Sequence, residues 1–269
     1  MQENLKPGCV QQLFDLSDRV AIVTGGSGHL GFSMAWALAD LGASVIVTSR
    51  DLDRATETAG RLPCPNAQHH QGIALDQLNP ASIEAAFETL MSAVPHVDVL
   101  VNNALAPLGK DWRDVSMAEF ARHQENNASY FELSRRVRDL AVANRRSASI
   151  INVGSMYGQV ASYPQAYEGI GAASPVAYHA LKGGTIHMTR HLAAYWAADQ
   201  VRVNCLSPGP FPNPAKAPAE LIDRLKQFVP MGRMGKPEEL MGAVAFLASD
   251  ASSYMTGQNL TIDGGWTAW

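Results

Sequence analysis

The sequence predicts an α/β fold: a doubly wound sheet of about seven parallel strands with helices on both faces. Three observations predict it. Short β-branched apolar runs alternate with longer stretches of helical periodicity from Val20 to Ile262. A glycine-rich turn joins the first run to the first helix. No linker, internal repeat or shift in composition divides the 269 residues, so 1–269 reads as one domain.

Residues 1–18 read as a loose N-terminal arm without the apolar stretch or cleavage site of a secretory leader. Val20 to Thr24 is the first strand, apolar throughout as a buried parallel strand should be. The turn Gly25-Gly26-Ser27-Gly28-His29-Leu30-Gly31 follows, then a helix to Leu41 stopped by Gly42. Ala43 to Thr48 is the second strand, ending at Ser49-Arg50-Asp51; Asp51 reads as the N-cap of a polar helix over 52–62. A third strand is expected over 67–75, with His69 and His70 at its start and Asp76 at its end. Asn79 and Pro80 open a helix to about Ala93, and Val97 to Val101 is the fourth strand, ending in Asn102-Asn103-Ala104-Leu105.

Ser116 caps a long helix to about Ala143 that carries Asn126 and Asn127. Ser149 to Val153 is the fifth strand, with Gly154-Ser155 at its tip. An irregular stretch, 156–175, leads into a helix bearing Tyr178 and Lys182. Val201 to Leu206 is the sixth strand, followed by Pro208-Gly209 and a Pro-rich excursion, 211–230, with one short helix. Pro237 opens a helix to about Ala248, and Asn259 to Ile262 is the last strand.

Bulk properties exclude several functions. A net charge of -4 and a pI near 6.0 argue against nucleic acid or an anionic membrane as partner. Arg135, Arg136, Arg138, Arg145 and Arg146 read as a solvated face. No run approaches the ~18 apolar residues of a membrane span. Cys9, Cys64 and Cys205 are odd in number and widely spaced, which fits the cytoplasm and no disulfide or metal framework. His187 and His191 share a helix face, but no third ligand accompanies them and no metal is expected.

Ligands in such sheets bind beyond the carboxyl ends of the strands. There the glycines at 26, 28 and 31 satisfy G-x-G-x-x-G on a strand-to-helix turn, where backbone N–H groups can approach a pyrophosphate. Ser49 carries no charge to repel a 2′-phosphate and Arg50 follows it, which favours NADP over NAD. Tyr178 and Lys182 stand i, i+4 on one helix face, so an ammonium beside the phenol can lower its pKa and make a proton-transfer unit.

Together these motifs resemble the short-chain dehydrogenase/reductase family from Arg19 to Trp266. The resemblance is carried by Thr24-Gly25-x-x-x-x-x-Gly31, Asp76, Asn102-Asn103-Ala104, Ser155, Tyr178-x-x-x-Lys182, Asn204-x-x-x-Pro208-Gly209, Thr256-Gly257 and Asp263-Gly264-Gly265. It implies a Rossmann-type NAD(P)-dependent oxidoreductase that interconverts a secondary alcohol and a ketone. Tyr178 would be the general acid/base, Lys182 the group that holds the nicotinamide ribose, and Ser155 the hydrogen-bond donor to the substrate oxygen. Asn126, or else Asn127, would anchor a relay water. Gly25, Ser27, Gly28, His29, Leu30, Gly31, Ser49, Arg50, Asp76, Asn103, Ala104, Tyr178, Lys182, Pro208 and Gly209 would hold the cofactor.

The sequence departs from the family at His29 (a glycine position), at Leu105 (commonly Gly) and at Leu181 (commonly Ser). Ser155 and Tyr178 also lie 23 positions apart, more than the family's usual spacing. The extra residues form an inserted substrate loop in which Tyr163 and Tyr167 either line the pocket or pack the insertion. This stretch is similar to a branch associated with gluconate 5-dehydrogenases. A small carbonyl or alcohol substrate, a sugar acid or polyol, is therefore expected. Lys110, Arg113 and Lys216 are the candidate cations for an acid. The family also implies a homo-oligomer, tetramer or dimer, with Trp266 and Trp269 at its interface. The alternatives are a 3-oxoacyl-thioester reductase and a non-catalytic dinucleotide-binding regulator.

Overall fold

The computed structural model describes residues 9–170, 172, 174–213, 215 and 217–268. Its strands are β1 Val20–Val23, β2 Ser44–Ser49, β3 Gln71–Ala74, β4 Val99–Asn102, β5 Ala148–Val153, β6 Val201–Pro208 and β7 Asn259–Ile262. All pair in parallel, in the order β3-β2-β1-β4-β5-β6-β7. The helices are α1 Val10–Leu13, α2 His29–Asp40, α3 Leu52–Gly60, α4 Pro80–Ala93, α5 Met117–Ala143, α6 Val176–Trp196, α7 Ala219–Lys226 and α8 Met241–Ala248. The Rossmann-type sheet expected from the alternation is thus present.

Successive strand residues face opposite sides, and both sides are covered. Ala21, Val23, Val45, Val47, Val99 and Val101 pack with Met34 and Leu38 of α2 and Leu247 of α8. Ile22, Ile46, Leu100, Ile150 and Val203 pack with Phe87 of α4, Leu133 of α5 and Leu192 of α6. The chain runs outward from β1 to β3, then returns to pair β4 with the other edge of β1. That reversal opens a crevice beyond the carboxyl ends of β1 and β4.

Three helix starts are set by the polar residues that precede them. Asp51 and Asn79 accept the N–H groups of Arg54 and Ala81, and Ser116 forms a reciprocal capping box with Glu119. Two expectations need correction. The arm before β1 is not loose throughout. Leu16 is 1% exposed and donates its N–H to Leu41; residues 1–8 lie outside the described residues. The third strand begins at Gln71, later than expected, because the preceding residues turn across the sheet edge. Ala67 has φ 56°, and His70 bridges the Val45 N–H and the Pro63 carbonyl.

The arginine-rich face of α5 is a set of ion pairs. Arg135 and Arg136 meet Glu132, and Arg138 meets Asp199. Among the described residues no helix is long and apolar enough to cross a membrane, and no cluster of three or more His, Cys, Asp or Glu could hold a metal ion.

Candidate active site

The turn after β1 is built to let a ligand approach backbone. Gly25 has φ +61°, a conformation that disfavours a side chain. A Cβ on Gly31 would stand 2.3 Å from the Gly25 carbonyl oxygen and 2.7 Å from Asn103 Nδ2. The N-terminus of α2 is capped by Gly28 with no side-chain acceptor, so its first N–H groups and the positive end of its dipole are left for an anion. Across the crevice, Thr24 Oγ1 accepts the N–H groups of Asn103 and Ala104 at 2.9 and 3.0 Å. Asn103 Nδ2 donates to the Thr24 carbonyl at 2.9 Å. These bonds lock β1 to β4 where the sheet order reverses.

The resulting cleft is about 740 Å³. Its wall includes Gly25, Ser27, Gly28, His29, Leu30, Gly31, Ser49, Arg50, Asp76, Asn103, Ala104 and Asn126, all expected from the sequence. His29 Nε2 is buried there without a hydrogen-bond partner. Further wall residues escaped the sequence reading, among them Arg54, Gln77 and His123. Arg54 lies one turn beyond Arg50 and donates to the Ser27 carbonyl at 2.9 Å. Gln77 holds the Ala104 carbonyl and Asn126 Oδ1, both at 2.9 Å. His123 sits three residues before Asn126 on the same face of α5. Helical spacing from Arg50 and Asn126 was the available signal for Arg54 and His123.

Ser155, Tyr178 and Lys182 converge beside this cleft. Ser155 is 5% exposed at the end of β5, and its hydroxyl accepts the Tyr157 N–H. Burial raises the pKa of Tyr178, while a hydrogen bond with Ser155 pulls it back. Lys182 is 3% exposed. Its ammonium donates to the Val153 carbonyl at 2.5 Å and lies 5.6 and 5.7 Å from the ring centres of Tyr130 and Tyr178. Burial brings its pKa down to about 8. The expected lowering of the Tyr178 pKa by its neighbour is therefore not met in this arrangement. The ammonium is turned to a backbone carbonyl, and desolvation of the phenol dominates.

The two asparagines point to different places. Asn126 Oδ1 accepts from Gln77 and from the Ala106 N–H, and its Nδ2 donates to the His123 carbonyl. Asn127 turns to α6, donating to the Leu181 carbonyl and accepting from Thr185. Pro208 and Gly209 end β6 and lie off the cleft wall; the Gly209 N–H donates to Ile262.

The insertion folds over the Tyr178 side of the site. Tyr163 stacks on Phe228 at 4.6 Å and packs on Trp266 at 5.3 Å. The Tyr167 and Tyr157 hydroxyls meet at 2.7 Å, and Tyr157 stacks on His179 at 4.6 Å. His179 Nε2 is 3.0 Å from the Ser174 hydroxyl. Trp266 is 0% exposed within its own chain, so it anchors the insertion and is not available for the subunit contact expected of it. Trp269 lies outside the described residues, as does Lys216. Of the other candidate cations, Lys110 is paired with Glu119 at 2.6 Å and Arg113 lies over the Trp112 ring.

Known proteins resemble the chain along nearly its whole length. The family model described as enoyl-(acyl carrier protein) reductase matches residues 27–267. Galactitol 2-dehydrogenase of Rhizobium johnstonii is 32% identical over 96% of this chain and 99% of its own length. The 3-oxoacyl-(acyl-carrier-protein) reductase FabG of Vibrio cholerae is 33% identical over 93% of this chain and 98% of its own. A crystal structure of a gluconate 5-dehydrogenase from Burkholderia cenocepacia in complex with NADP and tartrate superposes with a TM-score of 0.85. It is 28% identical and covers 97% of this chain and 100% of that one. The chain belongs to the short-chain dehydrogenase/reductase family. It is an NAD(P)-dependent oxidoreductase that works between a secondary alcohol and a ketone.

Proposed function

We propose that the protein interconverts a small neutral ketose and its polyol, with NADP preferred over NAD. The observation that carries the substrate reading is the wall beside Tyr178. It carries two hydrogen-bonded polar pairs, the hydroxyls of Tyr157 and Tyr167 and the His179 imidazole with the Ser174 hydroxyl. The described loop cations that could meet an acid are already engaged, Lys110 by Glu119 and Arg113 by Trp112. Hydroxyl-rich ligands suit such a wall. Similarity to galactitol 2-dehydrogenase supports the same reading. The NADP preference is supported by Arg50 and Arg54 together in the cleft wall, next to uncharged Ser49.

The chemistry divides between cofactor and protein. Bound nicotinamide supplies or accepts the hydride. In the reductive direction Ser155 and Tyr178 hold the ketone oxygen, and Tyr178 donates a proton as the alkoxide forms. Lys182 stabilises the resulting tyrosinate and would hold the nicotinamide ribose. Asn126 is assigned the relay water. In support, Asn126 lies on the cleft wall, whereas the Asn127 side chain turns to Leu181 and Thr185 of α6. We assign a cytoplasmic homo-oligomer, tetramer or dimer, whose contact includes the exposed Phe131 of α5 and Tyr195 of α6. Sedimentation of the wild type against a Phe131→Glu, Tyr195→Glu variant tests it.

The substrate test follows NADPH absorbance with fructose, tagatose and ribulose, with keto-gluconates, and with a 3-oxoacyl thioester. Ketoses are expected to be reduced best, and Tyr178→Phe to lose about 10²–10⁴-fold in rate. Faster reduction of the keto acids or the thioester would overturn the substrate, and an unimpaired Tyr178→Phe the mechanism.

A further inference from the structure

His123 is a buried histidine for which the chemistry above has no use. It is 5% exposed, lines the cleft, and its Nε2 has no hydrogen-bond partner. Its ring lies 6.4 Å from that of Tyr178, tilted by 43°. The backbone behind it is fixed, because Asn126 Nδ2 donates to its carbonyl at 2.8 Å. Burial and the nearby Lys182 charge push its pKa down, and the Ala106 carbonyl beside it opposes them only in part. The ring is therefore neutral near neutral pH.

The neighbours narrow its role. With the proton on Nδ1, the unpartnered Nε2 keeps a lone pair and is an acceptor. Among the described residues none donates to it. The loop over 104–108 brings only backbone, Ala, Leu and Pro. Of the titratable groups on α6, the two beside His123 are engaged: Lys182 is bonded to Val153 and Tyr178 has Ser155. On its own helix, Glu119 is bonded to Lys110, and Arg122 is a further wall residue. A buried acceptor in a ligand cleft without a protein donor is satisfied when a bound molecule supplies one.

We propose that His123 Nε2 accepts a hydrogen bond from a hydroxyl group of the bound ligand beside Tyr178, and so helps select hydroxylated ligands. The donor is either a ribose hydroxyl of the dinucleotide or a hydroxyl of the substrate; the latter source rests on the polyol reading above.

The test compares His123→Gln, which retains an acceptor, with His123→Leu, which does not. NADPH binding is measured by equilibrium titration of tryptophan fluorescence, and KM for fructose, tagatose and ribulose by initial rates. If the donor is the ribose, His123→Leu weakens NADPH binding about tenfold or more and His123→Gln restores most of it. If the donor is the substrate, NADPH binding holds, KM for the reduced ketose rises about tenfold with kcat little changed, and Gln again restores it. Equal behaviour of Leu and Gln, whether both impaired or both like wild type, overturns the proposal. Imidazole ¹⁵N resonances of the wild-type protein give a second readout that needs no variant. The His123 Nε2 signal should shift on addition of NADPH, or of NADPH with a ketose on which the assay gives a rate; a signal unmoved by either also overturns it. Loss of ketose reduction with an intact NADPH response would overturn the polyol reading alone.

Discussion

The Lys182 ammonium lies 5.7 Å from the centre of the Tyr178 ring and donates to the Val153 carbonyl. The pair shares a helix face, yet the phenol is tuned chiefly by burial and by Ser155. Tyr178 in the cofactor-free protein should therefore stay protonated to above its ordinary value of 10.0. Tyrosinate absorbance of the wild type minus Tyr178→Phe across an alkaline titration checks this. An ionisation below 10 assigned to Tyr178 would refute it. In turnover, reduction needs the protonated phenol and oxidation the phenolate, so kcat/KM should fall with pH for the ketone and rise with pH for the alcohol.

Lys182 is held at a cost to stability. Its pKa falls from 10.5 to about 8 on folding. The unfolded chain thus binds the proton more tightly, a penalty on the order of 3 kcal/mol that is fully present below pH 8 and fades as pH approaches 10.5. Lys182→Met should abolish turnover yet unfold at a higher temperature at pH 7. The bare Val153 carbonyl takes back about 1 kcal/mol of that gain. Thermal melts at pH 7 and 10 check it, with a smaller difference expected at the higher pH.

Arg50 and Arg54 are four residues apart and both line the cleft. Loss of either should weaken NADP binding about tenfold, the worth of roughly 1.4 kcal/mol, and leave NAD nearly unaffected. Titration of both dinucleotides with Arg50→Ala and Arg54→Ala decides it. Parallel losses for NAD would show that the arginines hold shared parts of the two cofactors.

His70 ties the second strand to the loop before the third. Its Nδ1 accepts the Val45 N–H and its Nε2 meets the Pro63 carbonyl, each at 3.0 Å, an arrangement only the neutral ring can make. Burial depresses its pKa below 6.5. The unfolded chain takes up this proton first, so stability is intact above pH 6.5 and declines as pH drops below it. Melting temperatures from pH 8 to 5 should fall more steeply for wild type than for His70→Asn. Identical slopes would exclude His70 as a source of acid lability.

Gly31→Ala would drive a methyl group to 2.3 Å from the Gly25 carbonyl oxygen and 2.7 Å from Asn103 Nδ2. The turn and the β1–β4 lock must then shift together. A stability loss of about 1–3 kcal/mol and a clear loss of dinucleotide affinity are expected. Denaturant unfolding and NADPH titration measure the two separately.

Much of this was legible in the sequence because it is local. Apolar runs placed every strand but the start of the third, and the polar caps Asp51, Asn79 and Ser116 placed helix starts. The glycine turn and strand ends located the cleft wall. Non-local packing was not legible. His69 and His70 look like strand residues, but a ring bonded across to β2 ends the ladder instead. Trp266 follows the last strand and suggested an interface; Tyr163 and Phe228, remote in sequence, bury it within the chain. The i, i+4 spacing of Tyr178 and Lys182 fixed their shared face but not the balance between desolvation and charge.

The stack of Tyr163, Phe228 and Trp266 also bears on how such a specificity could be transplanted. The insertion is a contiguous stretch, yet its rings rest on two supports contributed far along the chain. A graft of 156–170 alone into a relative would expose two aromatic faces and leave the new wall without a floor. Under the proposal that the insertion forms the substrate wall, the unit to transplant has three parts, and the segment beyond β7 must travel with the loop.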